Sequence, residues 1–176
     1  MRRLVTVVAV LTGLAGSAAN AAAPAELEPL AFLIGEWSAS DSRQSGAGSG
    51  TAVFTRGLQD RVILRTSYAE YATAPGKPPS RHDDLLIIYA LAGKGARADY
   101  YDSEGHVIRY TVRSPATGQA VFLSEGTEGE PRFRLSYRLE ATGVLKGEFA
   151  IAPPGAAEAF KPYLTWESRQ ATGATK

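Results

Sequence analysis

Turn-forming clusters cut the chain from Glu36 to Gln170 into ten short segments of nearly even spacing, and this punctuation limits the possible folds more than any single motif does. The breaks are Gly46-Ala47-Gly48-Ser49-Gly50, Gly57-Leu58-Gln59-Asp60, Ala74 to Ser80, Gly93-Lys94-Gly95, Asp102 to Gly105, Ser114 to Gly118, Glu128-Gly129-Glu130, Thr142-Gly143 and Pro153-Pro154-Gly155. Between them the sequence predicts strands at about 36–42, 50–57, 60–72, 84–92, 96–102, 106–114, 119–126, 131–140, 143–151 and 160–170. Alternation is clearest after Pro131, where Phe133, Leu135, Tyr137 and Leu139 share one face and Arg132, Arg134, Ser136 and Arg138 the other. Ile108, Tyr110 and Val112 oppose Arg109, Thr111 and Arg113 in the same way. Tight links between so many strands predict an all-β, antiparallel, up-and-down sheet of ten strands. Closing that sheet into a barrel removes the exposed edges that invite aggregation. The longest irregular stretch, Thr73 to Asp83, is expected to form a loop at one mouth.

The chain opens differently. Met1-Arg2-Arg3, an apolar run from Leu4 to Ala15, and the small residues of Ala19-Asn20-Ala21 and Ala21-Ala22-Ala23 have the pattern of a secretory signal peptide, residues 1–23. The run is too short for a membrane span, which needs about 20 apolar residues. With the leader removed, residues 24–176 suit a single exported domain, periplasmic or secreted, with no integral membrane span. The chain has no cysteine, which excludes both a disulfide framework and a lipid anchor on cysteine. Removing Arg2 and Arg3 from 19 basic residues leaves 17 against 18 acidic ones, a net charge of about −1 that points to no nucleic acid or other polyanion as a partner. Oligomeric state is not legible. Leu27, Leu30, Ala31, Phe32, Leu33 and Ile34 have the spacing of one or two helical turns ended by Gly35, a short lid or plug before the barrel.

Gly35-Glu36-Trp37 would let the chain turn from that plug into the wall while the indole fills one end. Tyr163-Leu164-Thr165-Trp166-Glu167-Ser168-Arg169 echoes it on the last strand, where Arg169 could stack on Trp37 and bridge the closing seam. Gly35, Trp37, Trp166 and Arg169 are therefore expected to serve closure. Tyr68, Tyr100, Tyr110 and Tyr137 are candidate ligand contacts, because a tyrosine inside a barrel supplies an apolar wall with one polar tip. An inward arginine would favour a carboxylate-bearing ligand, and Arg65, Arg109 and Arg134 are the residues in question. Ser80-Arg81-His82-Asp83-Asp84 holds the residue types of a hydrolytic triad, but neighbours along a loop seldom converge as that chemistry requires. His82, Asp83, Asp84, Asp102, Glu104 and His106 lack the spacing of a zinc or calcium loop, so no metal is expected.

Taken together, Leu30 to Trp37, Tyr100-Tyr101-Asp102-Ser103-Glu104-Gly105-His106, Phe133-Arg134-Leu135-Ser136-Tyr137 and Phe160 to Arg169 resemble an exported bacterial family, a domain of unknown function related in fold to the calycins, the lipocalin, fatty-acid-binding and nitrobindin-like barrels. In that group a Gly-x-Trp near the start commonly pairs with an arginine late in the chain, which Gly35, Trp37 and Arg169 match. Nitrobindin-like relatives hold a ferric haem through a histidine in the C-terminal part of the barrel. The only histidines here are His82 and His106, so the chain departs from that pattern and no haem or other cofactor is expected. The resulting expectation is noncovalent binding or carriage of a small apolar or amphipathic ligand. The alternatives are a small-substrate enzyme using His82 with Asp83 or Asp84 at the mouth, and a structural or interaction barrel with a filled core.

Overall fold

The computed structural model describes residues 22–39, 48–74 and 76–171. Nearly all of the leader, the end of the first expected strand at 40–42 and the start of the Gly46 to Gly50 turn lie outside these residues. A 3₁₀ helix over Ala25–Leu33 precedes β1 (Gly35–Ala39), β2 (Gly48–Gly57), β3 (Val62–Tyr71), β4 (Ser80–Leu91) and β5 (Gly95–Asp102). β6 (Val107–Arg113), β7 (Gln119–Ser124), β8 (Arg132–Leu139), β9 (Val144–Ala152) and β10 (Lys161–Gln170) complete the sheet. Each strand pairs antiparallel with its sequence neighbour, and β1 pairs with β10 to close a ten-stranded up-and-down barrel. The fold expected from the sequence is the fold observed. Among the described residues no helix is long and apolar enough to cross a membrane.

The plug is three turns long because its residues repeat every third position. In a 3₁₀ helix side chains at i and i+3 eclipse, so Leu27, Leu30 and Leu33 form one stripe, and all three are buried against the barrel. Arg56, at the adjoining end of β2, holds the helix through a 3.4 Å ion pair with Glu28. Gly35 then makes the turn into β1 with φ +133, a conformation that favours glycine. The Trp37 indole N–H donates to the Leu33 carbonyl at 2.7 Å, which fixes the ring under the helix.

Two expectations need correction. Ser80 to Asp83 are strand, paired with Tyr71 to Tyr68, so only the residues between Tyr71 and Ser80 connect β3 to β4. The alternation there is polar on both faces because one face lines a polar barrel mouth, and a polar-on-polar period has no hydrophobic signature. Arg169 sits in the seam, opposite Ser38, but its exposed side chain and the buried Trp37 ring lie on opposite faces of the sheet, so the two do not stack.

Candidate functional site

Register fixes which side chains face the barrel interior. Residues opposite one another in an antiparallel pair share a face, so the fully buried Ile63, Leu86, Ile88 and Ala98 define the inward set. By that rule Arg65 and Ser67 on β3, His82 and Asp84 on β4, Tyr100 and Asp102 on β5, Tyr110 on β6, Tyr137 on β8 and Trp166 on β10 all point inward. The outward set corrects three expectations. Tyr68 lies on the outer wall beneath Arg81, whose guanidinium is 4.0 Å from the ring centroid. Arg109 is exposed opposite Asp99, and Arg134 pairs with Glu148 at 3.0 Å while covering Phe160. For Tyr68 the sequence left parity open, because β3 carries apolar residues on both faces, whereas the alternation of Arg109 with Tyr110 and of Arg134 with Tyr137 already set each arginine on the face opposite its tyrosine neighbours.

Burial falls from the plugged end to the other. Around the helix the inward side chains are closed off, and at mid-height an aromatic layer fills the section: Tyr137 meets Phe54, Phe122 and Trp166 edge-on at centroid separations of 5.7, 6.1 and 6.0 Å. Gly147 makes the last contact possible. A Cβ at that position would lie 2.0 Å from Cε2 of Trp166, so the indole occupies the space over the glycine and reaches Tyr137 on the next strand. Beyond this layer His82, Tyr100, Ile108, Phe133, Phe149 and Leu164 are only partly buried, and they line the opposite mouth.

The boundary between the two halves is polar. Arg65 is 5% exposed and stands between Phe54 and Leu86 in the register, yet it carries a full charge. Its Nη1 donates to the Tyr137 hydroxyl and its Nη2 to Asp84 Oδ1, which also accepts from Ser67 Oγ at 2.7 Å. Burial alone would lower the Arg65 pKa, but Tyr137 and Asp84 outweigh it and hold the guanidinium firmly protonated. Arg65 Nε is buried with no partner among the described residues. An unmatched buried donor costs roughly 1–3 kcal/mol, so a site that retains one has a donor available to an incoming acceptor.

From this floor a polar ladder climbs to the rim. The Arg65 guanidinium is 5.9 Å from the Tyr100 ring centroid, and the Tyr100 hydroxyl lies 3.1 Å from His82 Nε2 and 3.3 Å from Asp102 Oδ2. His82 Nδ1 lies 3.2 Å from Glu104 Oε1. Asp102 Oδ1 accepts the backbone N–H groups of Glu104 and His106 at 2.9 Å each, and Oδ2 sits 2.9 Å from His106 Nδ1. Burial raises the pKa values of Tyr100, Tyr110 and Tyr137, so all three stay protonated and can donate from the interior wall. The alternative enzyme reading needs His82 with Asp83 or Asp84, and the structure arranges these residues differently. Asp83 faces outward to Arg81, Asp84 is committed to Arg65 and Ser67, and His82 meets Glu104 and Tyr100 instead.

For Asp102 burial works against ionisation, but its hydrogen bonds prevail and hold its pKa below the ordinary carboxylate range. A depressed folded-state value stabilises the fold above the unfolded-state value, and the benefit is lost as pH falls through the folded one. Asp102→Asn is therefore expected to unfold at lower urea concentration than the parent at neutral pH, with the difference shrinking below about pH 4. Urea midpoints across that range check it. A gap that stays constant or widens in acid would show that Asp102 contributes by shape alone.

The two ring nitrogens of His82 meet Glu104 and Tyr100, and His106 lies on an exposed hairpin against Asp102. Among the described residues no group of three histidines or carboxylates is arranged to hold a metal ion. A depression of about 790 Å³ on the outer wall is a different feature, crossed by the paired charges Arg134 with Glu148 and Lys146 with Glu167. The chain matches no protein-family model, and no curated protein matches it significantly.

Proposed function

We propose that the mature chain is exported to the periplasm or the medium, and that its barrel binds or carries a small apolar or amphipathic molecule noncovalently. The resemblance to the calycin-like exported family supports this reading. The observation that carries it is the buried Arg65 with its unmatched Nε, set as a polar floor beneath a mouth whose aromatic and aliphatic lining is only partly covered. An apolar body would lie against Ile108, Phe133, Phe149 and Leu164, and a polar end would meet the ladder from Arg65 to Tyr100. No cofactor enters this reading.

Equilibrium titration with environment-sensitive hydrophobic dyes and fluorescent fatty-chain probes tests it. Saturable uptake at a stoichiometry of about one per barrel is expected, displaced by unlabelled chains and weakened by Ile108→Trp, which narrows the mouth. A barrel filled by its own side chains would take up none of them. N-terminal sequencing of protein recovered from the host's periplasm and medium tests export, and an uncleaved intracellular product would refute it.

One arrangement favours a second reading, acid–base chemistry at the mouth. His82 between the Glu104 carboxylate and the Tyr100 hydroxyl has the oriented-base geometry such chemistry needs. Turnover of a small ester or carbonyl compound that His82→Gln abolishes, with probe binding intact, would establish it.

A further inference from the structure

An inward arginine in a barrel suggests a carboxylate ligand, but the surroundings of Arg65 argue for a different class. Its charge is already balanced by Asp84 inside the same buried layer, with Ser67 tightening that carboxylate from the side. A ligand carboxylate brought to Arg65 would stand beside Asp84 in a low-dielectric interior, where two like charges repel and one must take up a proton. It would also have to pass Asp102, the direct register partner of Asp84 on β5, whose own carboxylate is held ionised by its hydrogen bonds. The groups still available at the floor are of opposite kinds. Arg65 Nε is a donor without an acceptor, and both bonds to Asp84 converge on Oδ1, leaving Oδ2 with none among the described residues.

We infer that the barrel selects an amphipathic ligand with an uncharged head that both accepts and donates hydrogen bonds, a hydroxyl or a primary carboxamide, and discriminates against fatty carboxylates. The head oxygen takes the Arg65 donor, its O–H or N–H reaches Asp84 Oδ2, and the ion pair stays intact. A fatty ammonium is disfavoured at the same point, because it cannot accept from Arg65 and meets a guanidinium that is held protonated. This rests on the ligand-binding reading above and narrows it to one chemistry.

The test is competition for a bound neutral dye by four chains of equal length: dodecanol, dodecanamide, dodecanoate and dodecylammonium, all below their aggregation limits at neutral pH. Dodecanol and dodecanamide are expected to displace the dye at concentrations at least about tenfold lower than the two ions. Asp84→Asn should move dodecanoate to the front of the series, since it leaves Arg65 without its counter-charge and the ligand can supply it. If that variant does not fold, the wild-type ranking decides by itself. Dodecanoate equal to or better than dodecanol in the wild type would overturn the neutral-head inference while leaving the carrier reading standing. Failure of the dye and all four chains to bind would overturn both.

Discussion

Arg65→Met is expected to lower folding stability by about 3–5 kcal/mol, because it strands Asp84 as an uncompensated charge in the barrel interior. The ion pair itself does not explain a loss of that size. Desolvating both charges costs nearly as much as their attraction returns, so the pair's net contribution is small, and the damage comes from removing one partner. Arg65→Met combined with Asp84→Asn should therefore recover most of the loss, since the second change removes the stranded charge. Urea unfolding of the two single variants and the double variant checks this through the coupling between the sites. Additive losses would mean that Arg65 and Asp84 do not act as a pair. The Tyr137 hydroxyl, which accepts from Arg65, also loses its partner in the two variants that lack Arg65, so recovery is expected to fall short of complete.

Gly147→Ala is expected to destabilise the protein by about 3 kcal/mol, although a single methyl group is added. On backbone grounds alone alanine would be favoured in a strand by roughly 0.5–1 kcal/mol. Sterics decide the sign: the new Cβ would lie 2.0 Å from Cε2 and 2.2 Å from Cζ2 of Trp166, rigid ring atoms that cannot yield by a rotamer adjustment of their own tip. The indole must leave its place over the strand, and the edge-on contact with Tyr137 goes with it. Trp166→Leu in the Gly147→Ala background should restore part of the stability lost, and thermal unfolding of the set measures it. A neutral Gly147→Ala would mean that the indole has room to move aside.

The ten strands were readable because their turns carry glycine, proline and aspartate where the chain reverses, and because Phe133 to Leu139 alternates without interruption. β4 starts four residues earlier than its sequence pattern predicts. Ser80 to Asp83 alternate between a polar mouth and polar solvent, and hydrophobic periodicity cannot report a strand that has water or hydrogen-bonding groups on both sides. The site was legible in part: Tyr100, Tyr110 and Tyr137 were named and do face inward, whereas Tyr68, Arg109 and Arg134 face out. One residue of parity separates the two outcomes, and a slip of that size turns every side chain of a strand to the other face. Ser67, the contact of Glu104 with His82 and the pairing of Arg65 with Asp84 carry no local signal, since their partners lie on other strands.

By itself, then, the sequence determined the closed all-β architecture, the plug that Gly35 turns into the wall, and the absence of cysteine chemistry. These depend on local rules, turn propensity and short-range alternation, that act before the chain closes. The tertiary structure decided which charges lie inside, that Arg65 is neutralised where Arg109 and Arg134 are not enclosed, and that His82 meets Glu104 and Tyr100. Those outcomes follow from register across the barrel, a long-range property, and register places a buried arginine beside the one carboxylate that balances it.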